Sequence, residues 1–594
     1  MARDKQSRRN AFKSSPSFPQ VDLAPASNRP TFNRSVWLWG AAFLGVLVLA
    51  VLVYEPALAG PFVFDDFGLP FRHPNFRGES ILDWMASVRP LLMLSYWFNY
   101  QVSGRESTAS YHLLNVVIHC VNTLLVGAIF WRLLQWTKAT DHKQRAILAV
   151  LGAGVFLLHP LQSESVAYIA GRSESLSALW CLAALAISVY RPFPAISGRR
   201  ALAILALFGA AIATKEHAVA LAGVLLLADV IFPGTSLFTA IDRDWKLYFP
   251  LTAGTVIGIR AASKVLASST SAGFAMQGMH WQEYALTQGR VVLAYLKLVV
   301  LPVGLTVDHD FALSRSLLDG GAGLAILFWV GAAITAIVFR HKYPVACFGV
   351  LIFLVLLAPT SSIVPIKDVM VERRMYLPFV GLLLVALDGL SRIKLTDGTM
   401  AALSACTLIV LAFCTYDRSK AWGDSKDLWE SAIAATPAKA RPYGNLASVY
   451  LVQRKCVPAL NVFERASAAG VQIKDGTALA TWALALECSG SLNAGIAKMQ
   501  EAVKVEPSAQ AYASLGRMYV RASYLPDAER ALAEAERLNP AWETTYVYRA
   551  MLESMRHDEQ KAVAELKKAL TWNPGNLQAR QMLEETAARS RYMP

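Results

Sequence analysis

The sequence predicts an all-α protein in two parts, a bundle of membrane helices followed by a soluble array of paired helices. Three observations predict it. Hydrophobic residues fill 55% of the 594 positions and mean hydropathy is positive, a balance that one soluble globule does not carry. The apolar residues gather into a dozen segments of helical length before residue 416. Beyond it the composition becomes that of soluble helix, with a period near 34 residues. The formal charge of +14 would suit nucleic acid, but its cations lie in the N-terminal tail, in short loops and among the apolar segments, and no basic helical face interleaves with aromatics. From Asp417 onward 23 Lys and Arg face 20 Asp and Glu, so the excess charge is topological and nucleic-acid binding is excluded.

Residues 1–35 place Arg3, Lys5, Arg8, Arg9 and Lys13 among Ser and Pro, which predicts a disordered tail held in the cytoplasm. The segment 36–58 is long enough to span and begins too late for a cleavable signal peptide. The membrane part, 36–416, continues with apolar segments at 113–134, 146–158, 176–190, 201–213, 218–232, 247–262, 286–303, 321–339, 344–358, 376–390 and 399–416. Basic turns at Lys138, Lys143 and Arg145, at Arg191, Arg199 and Arg200, at Arg340 and Lys342, and at Arg392 and Lys394 mark cytoplasmic loops. These marks agree only if the segment 286–303 does not cross and is re-entrant or interfacial, leaving about eleven crossings and an outer C-terminus.

The first outer loop, 59–110, opens on Phe64-Asp65-Asp66-Phe67. Two adjacent carboxylates thus emerge at the outer membrane face just as the first span stops. Further along this loop, Ile81 to Tyr100 is amphipathic and reads as a helix lying in the interface. In the next span His112, Asn115, His119 and Asn122 share one helical face. His119 and Asn122 read as interhelical hydrogen-bond ties, and His112, nearer the outer mouth, as a site candidate. The densest polar stretch is His159-Pro160, then Glu164, Tyr168, Gly171-Arg172 and Glu174. Glu164, Tyr168 and Arg172 recur at helical spacing, with a structural Glu164–Arg172 pair as the plainer alternative. Lys215-Glu216-His217 and Glu372-Arg373-Arg374 return charge to the same outer face. Adjacent arginines there need an anionic partner: a phosphate, to which guanidinium presents forked donors, or lipid headgroups.

In the soluble part, 417–594, Pro437, Val471, Pro507, Pro540 and Pro574 close successive units, and Ala432, Ala466, Ala502, Ala535 and Ala569 stand five residues before each. Small residues at helix contacts in this register are the tetratricopeptide signature. The first unit, from Trp422, keeps only its second helix, and Leu577 to Ala587 caps the far end. Cys456 and Cys488 fall at neighbouring positions of adjacent units, predicting a disulfide if the array lies outside the cytoplasm. The other five cysteines lie in membrane segments as apolar fillers.

Phe62-Val63-Phe64-Asp65-Asp66, Arg89-Pro90-Leu91, Tyr111-His112-Leu113-Leu114-Asn115, His159-Pro160 with Glu164-Ser165-Val166-Ala167, Gly171-Arg172-Ser173-Glu174, Lys215-Glu216, and Glu372-Arg373 with Tyr376-Leu377-Pro378 follow one another before the repeats. In this order they resemble the transmembrane and tetratricopeptide-repeat protein O-mannosyltransferases and their bacterial relatives, from about Phe62 to the C-terminus. The resemblance implies a GT-C glycosyltransferase that moves a sugar from a polyprenyl-phosphate donor to Ser or Thr of a translocated protein. The sugar is left open. No outer-face Asn-x-Ser/Thr sequon is present, Asn33-Arg34-Ser35 lying in the tail, which favours a bacterial inner membrane, with site and array in the periplasm, over the endoplasmic reticulum.

Such a transfer needs a base for the acceptor hydroxyl and cations for the departing phosphate. One of Asp65 and Asp66 is the expected base, its neighbour orienting the site or helping to hold a divalent cation. Arg373, Arg374, Lys215 and Arg172 are the expected phosphate ligands. His112, His159, Glu164, Glu216, Glu372 and Arg89 are expected around them or on the acceptor side, with the acceptor protein bound by the array. The alternative from another class is a non-enzymatic membrane-anchored repeat scaffold that gathers envelope proteins.

Overall fold

Each of the twelve apolar segments is a helix, in the order Phe32–Tyr54, Ala109–Leu133, His142–Leu158, Arg172–Val189, Gly198–Thr214, Leu221–Ile231, Trp245–Ser268, Trp281–Val300, Ala322–Phe339, Pro344–Leu357, Phe379–Leu390 and Asp397–Gly423. This computed structural model describes residues 32–592 except 73–79, 105–106, 138–140, 192–194, 269–270, 275 and 277. The basic tail, Lys138 and parts of the loop 59–110 lie outside the described residues. The chain divides into two units, Met1–Val46 and Leu47–Pro594; the described part of the first is the N-terminal portion of the first helix.

Four helical stretches are long and apolar enough to cross a membrane by themselves, Gly40–Ala57, Ala109–Trp136, Asp319–Phe339 and Asp397–Gly423, and the bent pair His142–Leu158 with Pro160–Ala167 makes a fifth if it is one span. This is a membrane protein. Its last apolar helix continues to Gly423, past the expected boundary at 416, because no breaker interrupts it earlier and Trp422 still packs inward.

Two local expectations are corrected. Ile81 to Tyr100 is not one helix but two, Ile81–Met85 and Pro90–Ser103, since a proline sets the first turn of the second and disfavours helix at the residue before it. Glu164, Tyr168 and Arg172 do not share a helical face. The helix Ser163–Ala167 stops, Tyr168 is extended, and the next helix starts at Arg172. Gly171 permits this close turn, for a Cβ there would lie 2.6 Å from the Glu164 carbonyl oxygen. Trp281–Val300, in the segment expected to be re-entrant or interfacial, is one uninterrupted helix of 20 residues. It runs along the 359–371 connection, Tyr284 donating to the Thr360 carbonyl at 2.6 Å, Gln288 to Val369 at 3.0 Å and Tyr295 to Val371 at 2.8 Å.

The soluble part is a tetratricopeptide-type solenoid. Helix pairs Ala440–Val452 and Cys456–Ala468, Gly476–Cys488 and Leu492–Val505, Ala509–Arg521 and Leu525–Leu538, and Glu543–Met555 and Glu559–Trp572 repeat the same packing. A lone Ser425–Ala435 helix opens the array and Leu577–Tyr592 closes it. Ala432, Ala466, Ala502, Ala535 and Ala569 are fully buried, which is why a larger residue at this register would push paired helices apart. The turn inside each pair uses one left-handed residue, at Arg454, Gly490, Ser523 and His557; only one of the four is the glycine that such a conformation favours. Cys456 and Cys488 are joined by a disulfide with their Cα atoms 5.3 Å apart.

One apolar core runs from the array into the membrane part. Leu446, Phe463, Trp429, Trp422 and Val63 with Tyr168 belong to a single buried cluster.

Candidate active site

The polar connections 55–72, 159–171, 215–220, 301–321, 359–378 and 424–441 meet at one end of the bundle. Phe64–Gly68 is a short 3-10 helix, and it turns the two carboxylates to different surroundings. Asp66 is wholly buried. Its Oδ2 accepts the Val63 N–H at 2.9 Å and its Oδ1 the Ala170 N–H at 2.8 Å. Burial pushes the carboxyl up to about 7, against the pull of those two donors. Asp65 is exposed, while its backbone N–H donates to the Tyr168 hydroxyl at 2.8 Å. Asp65 therefore offers a free carboxylate, and Asp66 fastens the loop that carries it.

Tyr168 also meets Arg373. Glu164, almost fully buried, accepts the Arg373 backbone N–H at 2.8 Å and its Nη1 at 2.5 Å. The guanidinium lies 5.9 Å from the centre of the Tyr168 ring and within electrostatic reach of Asp65. With 24% of its side chain exposed, it retains donors for an incoming anion. A second corner holds Lys215, which donates to Glu174 at 2.5 Å and to Ser173 Oγ at 3.0 Å. His217 stands 3.3 Å from the other Glu174 oxygen. Arg89 grips Glu216 with two bonds of 2.9 and 2.6 Å. Although burial pushes Glu216 upward, that guanidinium holds it down at about 2. Burial pulls Lys215 below its ordinary range, opposed by Glu174, and Arg373 lies within its electrostatic reach, so the two corners share one field.

Next to the corner of Lys215, Glu174 and His217 opens a narrow recess lined by Glu174, Ser177, His217, Thr360, Arg374 and neighbouring apolar residues. It shares Cys181, Leu221, Leu356 and Leu377 with a wholly apolar cleft that continues along Leu185, Val224, Ile352 and Val380. The recess thus grades from charged at the mouth to hydrocarbon-lined between helices.

Several expected ligands are committed elsewhere. Arg172 is completely buried, donating to Asn115 Oδ1 at 2.7 Å and to the Tyr111 and Ser95 carbonyls at 2.8 and 3.1 Å, with Tyr96 against its face; it knits helices together and cannot reach a donor. His112 is tied to the Gly60 carbonyl at 3.0 Å. His159 bonds the Val299 carbonyl at 2.9 Å and caps Leu161 N–H at 3.2 Å. Glu372 accepts Thr306 N–H at 2.6 Å and pairs with His309 at 3.0 Å, pinning the 301–321 connection. Arg374 donates to the Val369 and Asp368 carbonyls at 2.9 and 2.7 Å, yet still lines the recess. At the Asp pair, expected to help hold a divalent cation, each Asp66 oxygen accepts one backbone N–H, and among the described residues no three His, Cys, Asp or Glu side chains converge.

Sequence reasoning passed over Asp308. It lies in the polar flank after the Trp281–Val300 helix and is 2% exposed. Arg441 of the first full repeat grips it with both Nε, at 2.6 Å, and Nη2, and also bonds Asp368 at 2.7 Å; Lys439 pairs with it at 2.6 Å. The flank's polarity was visible in sequence, but nothing distinguished Arg441 from a solvated charge on a repeat helix.

The fold and site together describe a membrane protein with a polar pocket at one end of its helices, joined to a tetratricopeptide array. No protein-family model matches the chain. Among curated proteins, it is 24% identical over 426 residues to protein O-mannosyl-transferase F38B6.6 of Caenorhabditis elegans, an alignment that covers 68% of this chain and 59% of that one. It is 23% identical over 489 residues to protein O-mannosyl-transferase TMTC4 of Homo sapiens, covering 71% and 64%. The chain spans about three-fifths of the length of these relatives. Comparison over about two thirds of the chain thus finds similarity to proteins of the family that the motifs resemble. Among solved structures, YrrB, a TPR protein with an unusual peptide-binding site, is 18% identical, covers 31% of this chain and 92% of its own, and superposes with a TM-score of 0.24.

Proposed function

We propose that this chain is a GT-C-type membrane protein O-glycosyltransferase that moves a sugar from a polyprenyl-phosphate donor to a Ser or Thr hydroxyl of a translocated protein. One observation carries the reading: an exposed carboxylate, Asp65, lies within electrostatic reach of a partly exposed guanidinium, Arg373, which shares a field with the Lys215 and Glu174 corner of a recess that grades from charged to apolar. A lipid-linked phosphate needs that gradient, its headgroup among Lys215, His217, Arg373 and Arg374, and its isoprenoid chain in the cleft past Leu185 and Val224. In the transfer the acceptor oxygen forms its bond to the anomeric carbon while the bond from that carbon to the phosphate oxygen breaks. Asp65 takes the hydroxyl proton, and the leaving phosphate gathers its charge against the N–H donors of Arg373 and Lys215.

The site lies on the outer side in this reading, with the N-terminus inside, eleven crossings and Trp281–Val300 in the interface. Its hydrogen bonds along the 359–371 connection support that placement, and a disulfide in the array suits an oxidising compartment, a bacterial periplasm. The array receives the acceptor. Membranes containing the chain, incubated with radiolabelled polyprenyl-phosphate mannose and envelope protein from a strain lacking it, test the reading. Label in protein is expected. If neither mannose nor other polyprenyl-phosphate sugars are transferred while the array retains envelope proteins, the scaffold reading takes its place.

A further inference from the structure

The turn that presents Asp65 is held from the soluble side. Phe64 has φ +48°, a left-handed conformation that a bulky aromatic keeps only where its surroundings over-determine it. Those surroundings are a tryptophan and a tyrosine, the tyrosine itself backed by a second tryptophan. The Phe64 ring packs on Trp429 with centroids 4.7 Å apart and meets Tyr168 edge-on at 6.0 Å, and Tyr168 in turn stacks on Trp422 at 5.9 Å. Tyr168 is the residue whose hydroxyl accepts the Asp65 N–H. Trp429 lies on the first helix of the array, Ser425–Ala435, and is 5% exposed. The backbones also touch: a Cβ on Gly60 would overlap the Trp422 carbonyl, and one on Gly423 would lie 2.5 Å from the Pro56 carbonyl.

We infer that Trp429 is a positioning residue for the transfer, setting the direction of the Asp65 carboxylate through Phe64, so that the array's first helix is part of the catalytic apparatus as well as of the acceptor-binding solenoid. This rests on Asp65 being the base. A plain core residue at 429 would affect stability alone. A positioning residue affects turnover, because a displacement of about 1 Å at a reacting group can cost up to about 100-fold.

The test compares Trp429→Ala, Trp429→Phe and the unaltered full chain in two measurements. The first is transfer from labelled polyprenyl-phosphate mannose to envelope protein of a strain lacking the chain. Measured at a temperature where each variant is still folded, Trp429→Ala is expected to lower turnover at saturating donor by about 10-fold to 100-fold and leave half-saturation by donor within about twofold, and Trp429→Phe is expected to restore most of the rate. The second is hydrogen exchange of residues 62–70, in which Trp429→Ala exposes the Asp65 amide while the helices Ala440–Val452 and Cys456–Ala468 stay protected. Unchanged exchange at 62–70 overturns the inference, as does turnover within twofold of the unaltered chain, or a loss that Phe does not rescue and that follows the melting temperature. If the unaltered chain transfers no label, the function reading fails, and the exchange measurement still decides whether Trp429 holds the turn.

Discussion

At the scale of single residues, the two neighbouring carboxylates have opposite fates. The sequence announces Asp65 and Asp66 as a pair but cannot order them, because the order depends on a 3-10 turn and on Ala170, a hundred residues away. Arg172 and His112 mislead for a related reason: a charged or polar residue near a membrane mouth looks the same in sequence whether it meets a ligand or a carbonyl. The Asp66 environment makes a pH prediction. Its carboxyl is raised from about 4 in the unfolded chain to about 7 in the folded one. Between these values the folded state binds more protons than the unfolded, so this group's contribution to stability is full at low pH and is lost as pH rises through 7. Melting temperature measured from pH 4 to 8 should fall less steeply in Asp66→Asn than in the unaltered chain; parallel curves would contradict the assignment. Acidification should also release the pair Arg89–Glu216, but only near pH 2.

At the scale of elements, periodicity served well. All twelve apolar segments and every repeat helix follow from it, because burial of one face dictates spacing. What it missed are the breaks: the stop at Tyr168, the split before Pro90, and the left-handed turns at Arg454, Ser523 and His557, none of which carries a glycine. The Cys456–Cys488 register was legible because the repeat fixes which helix ends adjoin. Its bridge closes a separation of 32 residues and contributes about 3.7 kcal/mol by chain entropy. In a Cys456→Ser, Cys488→Ser double variant, amide protection in Cys456–Ala468 and Gly476–Cys488 should fall by about 400-fold, the equivalent of that free energy. A fall below threefold would mean that the flanking repeats already hold these helices.

At the scale of the whole molecule, membrane part and array are one structure, joined by a shared core and by Asp308, Arg441 and Asp368. A deletion of 438–594 would strip buried Asp308 of both Lys439 and Arg441 and so confuse loss of the array with damage to the mouth. Deleting 456–594 keeps both cations. That variant should bind donor within about twofold of the full chain but lose more than about tenfold in transfer to protein; transfer at the full rate would free the array of any part in presenting the acceptor. The central claim, that Asp65 is the base, has the most direct test in the rate of sugar transfer by Asp65→Asn. An exposed Asp changed to Asn alters stability by about 0.5 kcal/mol or less, whereas loss of a general base costs about 10² to 10⁴ in rate. The account predicts a folded, membrane-inserted protein that binds donor normally and transfers sugar at least about 100-fold more slowly; Asp65→Asn turning over at the unaltered rate would contradict it.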